Sequence, residues 1–444
     1  MMTSSSNDSS ANDFRGNDFR GKSSQAYVWV WLPEQSTPTV AGKLEVAAGL
    51  VRFNYGQSYL KRSEHAQQPA ISLFEDELPL RAGVILPKAG LTLPSCIRDA
   101  SPDAWGRRVI INKMLGKTEM DPAADSALNE LTFLMESGSD RIGALDFQAS
   151  PTVYVPRQAT NVSLAELMTS AERVEQGVPL SPELDQALFH GSSIGGARPK
   201  ALIEQGDKKY IAKFSSSTDL YSVVKAEFIA MRLASLCGLN VAAVSLVSAA
   251  KKDVLLIERF DRVKGAQGWQ RRAMVSALTL FGLDDMMARY ASYEQLCELI
   301  RKRFEAPSAT LKELFGRLVF NILCGNTDDH ARNHAAFWNG KALSLTPAYD
   351  VCPQGRSGGE ATQAMLIRGD DRLSQVKSCI EAAPQFLLSR EAALSIYQHQ
   401  RAVIEANWER VCDEAALSAV DRNVLRGRQF LNPFAFEGLG VCGG

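Results

Sequence analysis

The sequence predicts an α+β chain, β-rich toward its N-terminus and mostly helical toward its C-terminus, and two observations carry that expectation. Short alternating apolar runs, AYVWVWL, TVAGKLEV and GLVRFNY, succeed one another from Ala26 with Pro and Gly between them, the pattern of a small antiparallel sheet. Beyond Arg262, apolar residues recur at helical spacing instead, clearest in Leu311, Phe315, Leu318 and Ile322. With 444 residues the chain exceeds what one core of about 100 to 200 residues needs. The expected division is a disordered tail over 1–25, a β-rich module over 26–150, a second sheet-bearing unit over 151–262 and a helical unit over 263–444.

Composition narrows the function classes. Charged residues are 22% of the chain and the net charge is -1, so nothing drives the whole molecule toward nucleic acid or an anionic membrane. The eight cysteines form no C-x-x-C pair, and Cys237, Cys297 and Cys324 sit in apolar helical patterns, which reads as buried thiols in a reducing cytoplasm. No apolar run approaches the roughly 18 to 20 residues of a membrane span. Residues 1–25 are rich in Ser, Asn, Asp and Gly and repeat NDFRG in tandem; such a composition buries too little to offset its ordering entropy.

In chain order, the first sheet is expected to continue through ISLFEDELPL. SPDAWGRR follows, with Trp105 and Arg107 read as packing and surface residues, then a helix over Asp121 to Glu136. A helix near Ser163 to Gln176 opens with the capping-box pair Ser163 and Glu166. Pro182 starts a short helix ending near Phe189.

The next segment, Gly191 to Lys200, joins small residues to two cations. Gly195, Gly196 and Ala197 let backbone N–H groups converge on an anion, and Arg198 or Lys200 supplies positive charge. A Ser/Gly stretch is by itself equally an ordinary loop; it has neither the Walker pattern nor G-x-G-x-x-G. Two strands follow, KALIE and KYIAKF, turning at Gln205-Gly206-Asp207. Lys213 shares a strand face with Ile211, and a lysine in an apolar strand asks for a partner. Glu227, on the helix expected over Ser222 to Cys237, is that candidate, with surface pairing to Lys225 or Arg232 as the alternative. A strand lysine aimed at phosphates by a helix glutamate is a phosphoryl-transfer arrangement. Strands VAAVSLVSA and VLLIERFDR then end in Glu258-Arg259-Phe260-Asp261-Arg262.

Helices are expected over Arg271 to Phe281, Tyr293 to Phe304 and Leu311 to Cys324, the last stopped by Gly325. It delivers Asn326-Thr327-Asp328-Asp329-His330-Ala331-Arg332-Asn333 into a polar loop, and Asp350 lies beyond the turn Asn339-Gly340. An Asp, an Asn five residues on and a second Asp after a hairpin-like interval are the parts phosphoryl transfer needs: one acid for the acceptor hydroxyl, an amide and an acid for metal. The isolated D-x-x-x-x-N pattern equally caps turns. His330 and His334 are spaced i, i+4, but Ala331 stands where a zinc motif has Glu. His330 is read as bracing the Asp328 loop, Arg332 as approaching phosphate, and Asp329 as an ambiguity beside Asp328. Residues Ser389 to Leu425 carry long helical patterns.

Taken together, Ser193 to Lys200, Lys213, Glu227, Glu258 to Asp261, Asp328-x-His330-x-x-Asn333 and Pro347-Ala348-Tyr349-Asp350 resemble the HipA family, the protein-kinase-like toxins of bacterial toxin–antitoxin pairs. SPDAWGRR and GSDRIGALDF resemble the module that precedes its kinase core. The resemblance implies a bilobal protein-kinase-like fold and a serine/threonine kinase using ATP and Mg2+. It gives catalytic roles to Asp328, His330 and Arg332, metal ligation to Asn333 and Asp350, and nucleotide contacts to Ser193, Gly195, Gly196, Ala197, Arg198, Lys200, Lys213, Glu227, Glu258 and Phe260. It implies autophosphorylation at Ser193, with Ser192 one residue away as the alternative. It further implies a HipB-like helix-turn-helix antitoxin, operator DNA contacted mainly through that partner, and a translation component such as an aminoacyl-tRNA synthetase as acceptor, with no membrane and a cytoplasmic setting. A catalytically weak ATP-binding co-repressor and a small-molecule phosphotransferase are the competing expectations.

Overall fold

The computed structural model describes residues 23–64, 69–115, 128–157, 163–175, 198–215, 219, 221–356 and 358–439. The duplicated NDFRG segment, residues 191–197 at the loop side of the Ser193-to-Lys200 segment, and the helix expected from Pro182 lie outside them.

The N-terminal module is one antiparallel sheet. Strands β1 (Gln25–Val30), β2 (Thr39–Ala47), β3 (Leu50–Tyr55), β4 (Val84–Ile85) and β5 (Leu145–Gln148) lie in the order β4-β3-β2-β1-β5. Alternation puts Ala26, Val28 and Val30 of β1 into the core, where they join Leu44 and Phe53. The sheet does not continue through ISLFEDELPL, as the sequence suggested. Residues Phe74 and Leu78 form only an isolated bridge, because the Tyr55 hydroxyl takes over the backbone there, donating to Leu78 O at 2.6 Å and accepting from Leu73 N at 2.9 Å. The expected helix over Asp121 to Glu136 shortens, within the described residues, to Glu130–Glu136. Asn129 caps it, its side chain accepting from Thr132 N.

The second sheet is also antiparallel, in the order β6-β7-β9-β8, from β6 (Lys200–Gln205), β7 (Lys208–Phe214), β8 (Val244–Ala249) and β9 (Lys252–Glu258). Helix Val223–Leu236 packs on it with Phe228, Met231 and Ala234 buried, at the bounds the apolar period indicated. Beyond β9 the chain is largely helical, so the molecule is a bilobal α+β fold behind a β-rich module. One departure matters for the site. The helix expected from Arg271 occupies only Ala277–Phe281, since Ser276 caps it and the preceding residues are strands: β10 (Arg262–Gly265) pairs with β11 (Gly268–Arg271), and β12 (Met274–Ser276) pairs with β13 (Ala335–Trp338), which pairs with β14 (Leu343–Leu345). Thus β12 anchors the hairpin that joins the two acidic loops.

Helix Pro307–Cys324 begins four residues before the expected Leu311, with Pro307 in its first turn, and ends at Gly325. Gly325 has φ 72°, and a Cβ there would lie 2.6 Å from Gln429 O, so both the backbone and the neighbouring chain require glycine. The described cysteines are buried and free. Among the described residues no helix is long and apolar enough to cross a membrane.

Candidate active site

Three separate elements meet at Lys213. It projects from β7, where its Cα pairs with Leu255 of β9 and with Lys200 of β6. Its ammonium donates to Glu227 Oε1 at 2.6 Å and to Asp350 Oδ1 at 2.5 Å. The expected Glu227 pair therefore forms, and neither Lys225 nor Arg232 takes it: Lys225 meets Asp253 and Arg232 meets Glu414. Lys213 and Glu227 are desolvated, so each charge persists only because the other is present. Lys213 holds the Asp350 carboxyl down at about 2. Burial acts to lower Lys213, but Asp350 and Glu227 together keep it above the usual lysine range. Burial raises Glu227, with Lys213 opposing. Asp350 has φ 58°, a left-handed backbone that a non-glycine residue adopts at a cost of order 1–3 kcal/mol.

The loop after Gly325 separates its two adjacent acids by environment. Asp329 is buried, accepts from the Tyr293 hydroxyl and lies 2.9 Å from His334 Nε2. Although burial alone would raise it, His334 and Tyr293 hold its carboxyl below the usual range. Asp328 is exposed, and partial desolvation, with Asp350 and Asp329 adding, raises it. The ambiguity between the two is thereby resolved: Asp329 fastens the loop and Asp328 faces outward. His330 braces the loop through its main chain, its N–H donating to Asp328 O at 2.9 Å and its carbonyl accepting from Asn333 N at 2.8 Å, while its Nδ1 is buried without a hydrogen-bond partner among the described residues. Asn333 donates through Nδ2 to Asp328 O at 3.1 Å, which fixes its amide and leaves Oδ1 uncommitted. Arg332 is exposed and forms an ion pair with Asp285, while the Tyr349 hydroxyl donates to Arg332 O at 2.5 Å.

At the opposite end, the Glu258 carboxylate accepts from Lys208 and its N–H donates to Ala243 O. Phe260 stacks at tilted or edge angles on Phe337 and Tyr349, and its main-chain groups make no hydrogen bond among the described residues. Glu258 and Phe260 both line the same cleft as Lys213. Arg198 forms an ion pair with Asp219 at 2.7 Å. Ser192, Ser193, Gly195, Gly196 and Ala197 lie outside the described residues.

Lys213, Phe260, His330, Asn333 and Asp350 line one cleft of about 920 Å³. Its other wall belongs to the N-terminal module, including Asp103, Arg107 and Arg108. Trp105 is core, as expected, but Arg107 is more than a surface residue: it pairs with Glu130 at 2.6 Å and faces the cleft. Lys200 is buried at the start of β6, with Asp103 Oδ2 3.9 Å from its ammonium. Burial lowers Lys200 to about 8 and raises Asp103 to about 6. Asp103 was missed because its signal in sequence, an acid one residue before a helix, is that of any helix cap.

The module is fastened to the small lobe by buried charges. Arg259 donates to Asp140 O at 3.0 Å and Arg141 O at 2.7 Å, Asp261 accepts from Gly143 N at 2.8 Å, and Arg262 donates to Asp140 Oδ1 at 3.0 Å. Arg259, Asp261 and Arg262 of ERFDR are thus committed to the segment GSDRIG, while Glu258 pairs with Lys208.

A profile of the HipA N-terminal domain matches residues 28–148, and one of the HipA-like C-terminal domain matches 192–408. The chain is similar to the serine/threonine-protein kinase toxin HipA of Shewanella oneidensis, 27% identical over 255 residues, an alignment covering 50% of this chain and 56% of that protein. It is similar to the putative kinase Y4mE of Sinorhizobium fredii, 27% identical over 62% of this chain and 69% of that one. Among solved structures it resembles a chain of the HipA, HipB and operator DNA complex of Shewanella oneidensis MR-1, with a TM-score of 0.65 at 21% identity, over 92% of this chain and 99% of that one. That likeness is one of fold.

Proposed function

The chain belongs to the HipA-like toxin family, and from that premise we propose that it is an ATP- and magnesium-dependent serine/threonine protein kinase acting as the toxin of a toxin–antitoxin pair. The observation that carries the reading is Lys213 held between Glu227 and Asp350 beside Asn333, in one cleft. This assembles a phosphate-directing cation, its orienting glutamate and two oxygen donors for metal.

The donor set fits magnesium. Asp350 offers a carboxylate and Asn333 an amide oxygen, both hard ligands, and among the described residues no group of three His, Cys, Asp or Glu forms a dedicated cage. Magnesium is held by one or two such groups together with substrate phosphates and water. When bound, ATP with Mg2+ supplies the transferable phosphoryl group. Asp328, exposed and raised, orients the acceptor hydroxyl; Lys213 directs the phosphates; Phe260 offers its main chain to the base. Further parts of the reading rest on the resemblance: autophosphorylation at Ser193 or Ser192, an acceptor within the translation apparatus such as an aminoacyl-tRNA synthetase, and an antitoxin carrying operator contact.

The test is transfer of labelled phosphate from ATP by the full chain, with and without magnesium, to itself and to proteins of a cell lysate. Label appearing only with magnesium and lost in Asp328→Asn supports the reading. Absence of transfer with intact ATP binding favours the co-repressor expectation.

A further inference from the structure

We propose that Asp103, carried by the N-terminal module, is a positioning residue of the nucleotide cleft, holding the Lys200 ammonium so that Asp103 and the nucleotide phosphates compete for one cation. The inference rests on the kinase reading above and adds a regulatory link to it: a module outside the two lobes sets the affinity of the site between them.

Geometry carries it. Asp103 Oδ2 stands 3.9 Å from Lys200 Nζ, with side-chain exposures of 15% and 2%. That separation is too long for a hydrogen bond but within reach of a strong charge interaction where water is largely excluded. Lys200 is the Cα partner of Lys213 across the β6–β7 pair, so the two lysines enter the same region from adjacent strands. Asp103 itself lines the cleft with Lys213 and Asp350. Its position just before helix Ala104–Leu115 suits a helix cap. Both carboxylate oxygens are buried, and the Trp105 and Gly106 N–H groups at the start of that helix face the carboxylate and favour its charge. Those groups carry no full charge, so a buried carboxylate there remains costly unless a nearby cation offsets it, and Lys200 is such a cation.

The sign of the effect follows. Without nucleotide, Asp103 stabilises the buried ammonium. With a phosphate at that ammonium, the carboxylate becomes a like charge beside it. Removing the carboxylate charge therefore raises the free energy of the empty cleft and lowers that of the filled one, and both changes tighten binding.

The experiment is calorimetry of ATP and of adenosine, with magnesium, on the full chain carrying Asp103→Asn or Asp103→Ser. Each variant keeps a capping side chain and removes the charge. Each is repeated in a Lys200→Met background. The expected result is that ATP binds tighter by roughly tenfold, the scale of one desolvated charge contact. Adenosine, which has no phosphates, is unchanged, and the gain disappears with Lys200→Met. Weaker or unchanged ATP binding, an equal change with adenosine, or the same gain without Lys200 each overturn the proposal while ATP binding by the wild-type chain leaves the kinase reading intact. A wild-type chain that binds no ATP overturns that reading and this competition with it.

Discussion

The Lys213 ammonium and the Asp350 carboxylate lie 2.5 Å apart although 137 residues separate them in the chain. One comes from the small-lobe sheet and the other from the loop after β14, so this pair joins the two lobes inside the cleft. A cation that also faces Glu227 joins the proposed metal ligand to the nucleotide-directing pair.

Asp350→Asn is expected to remove most of the magnesium dependence of ATP binding in calorimetry and to lower phosphate transfer by on the order of 10²-fold or more. Magnesium dependence equal to wild type would take Asp350 out of the ligand set.

Asp328→Asn is expected to behave differently, because Asp328 is exposed and the ion-pair partners of Lys213 among the described residues are Glu227 and Asp350. ATP affinity should stay within about threefold while transfer falls by about 10²–10⁴-fold, the scale of a lost general base. Parallel loss of both would remove the acceptor role.

Lys200 gives a pH prediction. Its folded value of about 8 lies below the roughly 10.4 of an unfolded lysine. Below pH 8 the fold carries the whole penalty of burying the ammonium, and the penalty fades as pH rises toward 10.4. Wild-type stability relative to Lys200→Met should therefore rise between pH 8 and 10, by up to about 3 kcal/mol, in urea titrations. A pH-independent difference between the two would contradict the buried ammonium.

The charges joining ERFDR to GSDRIG should matter far more than surface pairs. Asp261→Ala leaves Arg259 and Arg262 buried with less compensation and is expected to cost about 3–5 kcal/mol. Lys208→Ala, which breaks the exposed pair with Glu258, should leave the denaturation midpoint close to that of the wild-type chain. Similar midpoints for the two variants in denaturant would refute the staple.

Incubation with magnesium and ATP is expected to place phosphate on Ser193, or on Ser192, by peptide mass spectrometry. The modified form should bind ATP more weakly, since the phosphate adds about -1.5 to -2 charge beside the nucleotide's own phosphates. Equal ATP affinity of the separated forms would dismiss the switch.

By itself the sequence determined several elements: the period-2 runs of β1 to β3, helix Val223–Leu236, and the stop at Gly325 of the helix ending at Cys324, though not that helix's start at Pro307. It also determined the order of Lys213, Glu227, Asp328, Asn333 and Asp350. These are legible because caps, turns and burial faces are set by residues a few positions apart. Where local signals were shared by two structures, the sequence misled: an apolar run from Arg271 fits a helix until β13 offers it a partner, and ISLFEDELPL fits a strand until the Tyr55 hydroxyl satisfies its backbone. Only the tertiary structure decided that Asp329 is fastened by Tyr293 and His334 while Asp328 stays open, that Lys213 holds Asp350 as well as Glu227, and that Asp103 reaches Lys200 from another module. Each of these is a contact between charged or polar groups far apart in the chain. Charge has no period along a sequence, so which carboxylate meets which cation is settled by where packing carries the strands and helices that bear them.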